Sequence, residues 1–277
     1  MPLSCYTDVV PVAIERERLV QTAAIRADWL RCRGLGREPT VELDEPETQI
    51  VVTLAGTFVY HVGRKRRLVD ANRVAFVRAG ESSRDSAAGE GDVDCLVLTP
   101  AAGLVDGARL PQTTLASARL QLSAARFVAT LRRTRTRDRL VAEEAALGLV
   151  HEALVAERAG PTPAPSAARR LAERAKRLLS CDGPPLPLPA IAQRLSVSPA
   201  YLTDAFRRAE GLPLVRYQQR LRLVRALAEL PRRDDLTALA LDLGFSSHSH
   251  FSTAFRATMG VTPSEYRRQA RGAIQRS

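Results

Sequence analysis

The chain has 277 residues, 45% of them apolar, which suits one or two packed domains and excludes wholesale disorder. No apolar run approaches the ~20 residues that span a bilayer, and the start, MPLSCYTDVVPVAIERER, lacks the basic and apolar regions of a signal peptide. Net charge is +11, of which +10 falls on the 112 residues from Ser166 onward, an asymmetry that suits a polyanion-binding C-terminal half.

These features predict a cytoplasmic protein. Cys5, Cys32, Cys95 and Cys181 are scattered, with no CxxC, and read as reduced thiols. A sensing role for Cys5, Cys32 or Cys95 has no spacing to support it.

Residues 41–99 read as β-rich. QIVVTL (49–54) and TFVYHV (57–62) flank Ala55-Gly56, which predicts a hairpin. RVAFVR (73–78) and DCLVLT (94–99) are two further strands, and the polar AGESSRDSAAGEGDVD between them reads as a loop. Residues 117–133 and 138–157 read as helices. In the second, Leu140, Leu147, Val150, Leu154 and Val155 recur at roughly helical spacing. AGPTPAPSA (159–167) is a Pro-rich linker. Beyond it the chain reads as helical, starting with ARRLAERAKRLLS (168–180).

That basic half contains a duplication. SPAYLTDAFRRAEGLPLVRY (198–217) aligns with SHSHFSTAFRATMGVTPSEY (247–266), pairing Leu202 with Phe251, Phe206 with Phe255, Gly211 with Gly260 and Tyr217 with Tyr266. Upstream, with the offset one residue smaller, Ile191, Ala192 and Leu195 pair with Leu239, Ala240 and Leu243. Each copy reads as a short helix, a tight turn, and a longer helix opened by a serine N-cap and closed by a glycine. This is the helix-turn-helix pattern, and with the charge it places each second helix in a DNA major groove. PLVRYQQRLRLVRALAEL (213–230) connects the copies as one helix of roughly 27 Å at ~1.5 Å per residue. Adjacent major-groove faces lie ~34 Å apart, so one stiff helix can hold two recognition helices on one side of a duplex.

ALDLGFSSHSHFSTAFRATMGVTPSEYRR resembles the signature of the AraC/XylS family of transcription regulators. Gly244-Phe245, Ser249, Phe251, Phe255, Gly260, Pro263 and Tyr266-Arg267 fall in register, and the likeness covers about residues 168–270. The N-terminal half resembles, more loosely, the cupin-like sensory domains of that family, followed by helices that often dimerise. The resemblance implies an α+β chain with a cupin-like sensory and dimerisation domain at 1–160, its helices at about 117–157. A linker at 161–167 and a tandem helix-turn-helix domain at 168–277 complete the expected order. It further implies a sequence-specific regulator, an activator responding to a small effector. Promoter DNA, RNA polymerase and a second copy of the chain are the expected partners, with no membrane. A ligand-independent architectural DNA-binding protein is the alternative, and a cupin-type enzyme carrying a DNA-binding module is a further one.

The expected recognition helices are about 199–210 and 247–259. Their outward positions are Ala200, Thr203, Asp204, Arg207 and Arg208 in the first and His248, Ser249, Ser252, Thr253 and Arg256 in the second. A neutral histidine can donate or accept at a base edge, and arginines meet phosphates. Asp204 departs from the family pattern, where arginine is common; it would repel phosphates yet could accept from cytosine N4. Thr253, too, stands where arginine is common. Arg216 and Arg220 are further phosphate candidates, while Arg222 could bridge the units. Ser196 replaces a common turn glycine, which strains the turn if it needs positive φ.

His248 and His250 are i and i+2 on a helix, so they point to different faces and form no obvious metal pair. Residues 1–165 hold only His61 and His151, and no HxH, HExxH, GxSxG or phosphate loop occurs there. No catalytic residue, metal or cofactor is expected. A small-molecule pocket in the barrel's mouth is the functional reading of the N-terminal half, with Trp29, Tyr60, Phe76 and Arg78 as groups that could line it.

Overall fold

The computed structural model describes residues 13–272, apart from 37, 41–42, 89–90, 106–107, 109, 134–137, 159–164 and 180–184. Cys5, Cys181 and most of the expected linker therefore lie outside the described residues. No described helix is long and apolar enough to cross a membrane.

The N-terminal half is a pair of facing antiparallel sheets. Its strands are β1 (Ala13–Gln21), β2 (Ile25–Arg33), β3 (Leu43–Asp44), β4 (Gln49–Ala55) and β5 (Thr57–Val62). They continue as β6 (Lys65–Asp70), β7 (Arg73–Val77), β8 (Ser82–Ala87), β9 (Val93–Pro100) and β10 (Thr113–Leu115). The larger sheet runs β1-β2-β9-β4-β7-β10 and the smaller β3-β8-β5-β6. Phe58, Tyr60 and Val69 from the smaller sheet meet Ala75, Val77, Val93 and Cys95 from the larger, forming the core between them.

Three expectations are corrected here. QIVVTL and TFVYHV are strands, but they do not form a hairpin: β4 pairs with β7 and β9, and β5 with β6 and β8. Gly56 turns the corner between the sheets at φ +79°, where a Cβ would stand 2.3 Å from the Asp92 carbonyl oxygen. The polar stretch read as a loop contains β8, which pairs with β5 along its length. β1 and β2 lie ahead of the region read as β-rich.

Two helices, α1 (Ala118–Leu131) and α2 (Arg139–Arg158), cover the other face of the larger sheet. Trp29, Ile50, Val52, Phe76 and Leu96 pack there against Leu120, Ala124, Phe127 and Leu149. In α2 the buried stripe is Ala142, Ala146, Leu149, Val150 and Ala153, while Leu140 is 78% and Val155 48% exposed. The expected stripe was therefore wrong at its two ends: small alanines let the helix approach, and larger side chains face outward.

The C-terminal half holds α3 (Ser166–Leu179), α4 (Leu188–Arg194), α5 (Pro199–Glu210) and α6 (Leu214–Glu229), then α7 (Leu236–Asp242), α8 (His248–Met259) and α9 (Pro263–Gly272). α3 starts inside the stretch read as linker. Leu202, Phe206, Leu214 and Tyr217 share one core with Ile191 and α3. Phe251, Phe255, Tyr266, Leu223 and Leu227 share a second with Leu239. The helix α6 enters both.

The halves are docked through buried polar contacts. Tyr217 donates its hydroxyl to Asp70 (2.9 Å to either oxygen), and Asn72 Nδ2 donates to the Tyr217 carbonyl (2.9 Å). Glu210 pairs with Arg73 (2.9 Å) and Lys176 (3.1 Å), and Lys176 donates to the Leu68 carbonyl (3.3 Å). Burial raises the Glu210 pKa, but Lys176 and Arg73 more than offset it and leave the carboxyl below its ordinary value.

Candidate nucleic-acid interface

Both helical units are built alike at their turns. The Ser198 hydroxyl accepts from the Tyr201 N–H, and the Ser247 hydroxyl from the His250 N–H, so each long helix has a side-chain N-cap. Gly211 and Gly260 close them in the left-handed region, at φ 79° and 76°. In the turn of the second unit Gly244 sits at φ 77°; in the first, Ser196 holds φ 57° without being glycine. That position carries strain which only glycine escapes.

Capping and core packing leave the outward faces open. On α5, Ala200, Arg207 and Arg208 are exposed and Thr203 and Asp204 half-buried. Thr203 donates its hydroxyl back to the Pro199 carbonyl (2.9 Å). Asp204 pairs with Arg208 (2.6 Å) and lies 3.8 Å from Arg207. The acid thus sits between two arginines, and the phosphate repulsion expected from it is partly compensated within the helix.

On α8, His248, Ser249, His250, Thr253 and Arg256 are exposed and Ser252 half-buried. The two histidines make different contacts. His248 Nε2 is 3.3 Å from Ser252 Oγ. His250 Nδ1 is 3.0 Å from Ser246 Oγ, and its ring stands edge-on to Phe245 at 5.4 Å. His250 therefore packs on the turn, whereas His248 keeps to the outward face with Ser252.

Arg222 joins α6 to the second turn. It donates to the Gly244 carbonyl (2.8 Å), and its guanidinium lies 4.7 Å from the Phe245 ring centre. Arg220 is different from the phosphate candidate the sequence suggested. It bonds to Gln121 Oε1 (2.9 Å) and to the Ala116 carbonyl, inside the contact between halves. Burial lowers its pKa to about 10. Arg216 remains exposed on α6.

The profile of a helix-turn-helix domain family matches residues 191–269. The helical half therefore carries a helix-turn-helix domain of the AraC type. Curated relatives match over part of the chain. The regulatory protein PocR of Salmonella typhimurium is 34% identical over 111 residues, covering 40% of this chain and 36% of PocR. The transcriptional activator RhaS of Escherichia fergusonii is 39% identical over 87 residues, 31% of either chain. The chain thus spans about a third of the length of these relatives. Among solved structures, ToxT of Vibrio cholerae aligns over 89% of this chain and 98% of its own, at 13% identity and a TM-score of 0.34.

The groups suggested for a barrel mouth do not assemble there. Tyr60 is buried between the sheets, Phe76 lies in the core under the helices, and Arg78 bonds to the Leu110 carbonyl (2.6 Å). Trp29 borders a different cavity, between the larger sheet, α1 and α6. The sequence reading missed this cavity because its walls come from three distant segments. It missed the docking residues Asp70, Arg73, Lys176 and Glu210 for the same reason: each looks like an ordinary surface charge when read alone.

Proposed function

We propose that the chain is a sequence-specific DNA-binding transcription regulator that sets α5 and α8 in adjacent major grooves. The observation that carries this is the repeated local geometry: two capped helices with open outward faces, on one shared helix of 16 residues, about 24 Å at ~1.5 Å per residue. Thr203, Asp204 and Ala200 would face bases in one groove, and His248, Ser249, Ser252 and Thr253 in the next. Arg207, Arg208 and Arg256 would meet phosphates and supply salt-dependent affinity.

In this reading residues 1–160 sense an effector and residues 168–277 bind the promoter, with activation through RNA polymerase. The exposed Leu140, Val141 and Val155 of α2 support a homodimer through that helix. No enzymatic step is part of the proposal.

Selection from a random duplex pool with the full chain tests it. The expected result is one motif with two blocks about a helical turn apart. Binding that is tight at low salt yet enriches no sequence would overturn it in favour of an architectural DNA-binding protein.

A further inference from the structure

The longest run of basic residues in the chain is Arg-Lys-Arg-Arg at 64–67, and it lies in the half that carries only +1 of the net charge. The fold sets this run at one place. Val62 and Lys65 pair across the two-residue turn Gly63-Arg64, so Arg64 and Lys65 form the tip of the β5–β6 hairpin. β6 is an edge strand of the smaller sheet. Arg66 and Arg84 flank His61 in register across β6, β5 and β8, and residues directly opposite one another share a face of the sheet. Two guanidiniums thus stand on that face with a histidine between them. Burial, then Arg66 and Arg84, lower the His61 pKa, so the ring is neutral at pH 7.

The helix α3 continues the patch. Glu173 accepts from the Leu68 N–H (3.2 Å), and Lys176 donates to the Leu68 carbonyl, so α3 lies along the outer edge of β6. Arg169 and Arg170 stand one turn before Glu173 on the same side of that helix. Arg64, Lys65, Arg66, Arg169 and Arg170 are exposed and Arg84 half-buried, and none makes an ion pair with a described residue. The acids of the neighbouring contact are already taken: Glu173 pairs with Lys176, and Glu210 with Lys176 and Arg73. Cations left unpaired on one surface repel each other and favour a polyanion.

The patch adjoins the first helical unit. Glu210, the last residue of α5, meets Lys176 directly. From Leu68 to Arg64 the strand runs about 13 Å at ~3.3 Å per residue, and α5 is about 18 Å long at ~1.5 Å per residue. The hairpin tip therefore lies within about one helical turn of duplex, ~34 Å, from the first block.

We infer that the N-terminal half itself holds DNA: the β5–β6 tip, Arg84 and the start of α3 grip the phosphate backbone that flanks the first block, on the side away from the second. Where that DNA lies rests on the regulator reading above. The contact adds affinity without choosing bases, because cations on phosphates carry no sequence information. Since the patch spans both halves, only their docked arrangement presents it whole.

The experiment titrates the full chain with the duplex from the pool selection, either trimmed to its two blocks or lengthened by about ten base pairs, one helical turn, on the first-block side. Two unrelated flanking sequences are used. Lengthening is expected to raise affinity about tenfold with either flank and to steepen the salt slope by about 2–3, ~0.9 for each phosphate held. Arg64→Gln, Lys65→Gln and Arg66→Gln together remove the gain and leave the trimmed duplex bound as by the parent. Arg64→Lys with Arg66→Lys retains it, which separates charge from folding. No gain on lengthening, a gain with one flank alone, or a gain that survives the triple glutamine change overturns the inference. A triple variant that keeps the gain but loses binding to phosphatidylglycerol vesicles assigns the patch to a membrane surface and overturns it too. If the parent selects no motif, the regulator reading fails by itself. The patch is then read on a random duplex of about three helical turns, where the triple variant is expected to lower the salt slope by about 2–3 and an unchanged slope overturns the inference.

Discussion

Asp85 lies opposite Tyr60 in the β5–β8 pair, where burial, then the nearby Glu45, raise its pKa to about 7. Its ordinary value is 3.8, so between about pH 4 and 7 the folded chain holds a proton that the unfolded chain has released. Folding stability contributed by this group is therefore lost as pH rises through that window. Urea unfolding at pH 5 and 7.5 measures it, and Asp85→Asn is expected to flatten the difference; an unchanged difference would contradict the assignment. At the proposed DNA face, His248 and Arg256 are expected to behave differently. His248→Ala changes the preference at one base position by about 1–3 kcal/mol, whereas Arg256→Ala weakens all sequences alike and lowers the salt slope by about one. Competition binding over a set of single-base variants, repeated at two salt concentrations, separates the two effects.

At the scale of elements, the turn glycines are unequal. A Cβ on Gly244 would stand 2.5 Å from the Pro185 ring, while one on Gly260 meets nothing within 4 Å. Gly260→Ala pays only the left-handed backbone penalty, about 1–2 kcal/mol, and Gly244→Ala more. Equal losses in thermal unfolding would contradict the packing described for that turn. Both helical units were legible in the sequence because helix-turn-helix logic is local: a serine cap, an apolar i, i+4 pair and a closing glycine lie within some fifteen residues. The sheets were less legible. β4 and β5 alternate as strands should, but alternation does not say which sheet a strand joins, and Gly56 looks the same in a hairpin as at a corner. β8, SSRDSA, buries Ser83 and Ser86 and so has no apolar alternation to detect. The buried alanines of α2 gave a weaker periodic signal than its exposed leucine and valines.

For the whole molecule, the contact between halves is ionic and buried, which makes it costly to leave half-made. Arg73→Ala strands Glu210 with Lys176 alone, and breaking one partner of a buried pair costs about 3–5 kcal/mol. The full chain is expected to pass from one urea transition to two in that variant, as the halves lose their docking. A single transition at the parental midpoint would contradict the role given to Arg73. Arg220 belongs to the same contact, and no local pattern distinguishes its buried guanidinium from the exposed one of Arg216. The central claim is that α5 and α8 read two separate blocks of one site. The most direct measurement is pool selection with the full chain carrying Thr203→Ala or His248→Ala, compared with the parent. Each substitution is expected to alter the selected bases in its own block and leave the other intact. Changes spread over both blocks, or none in either, would contradict the account.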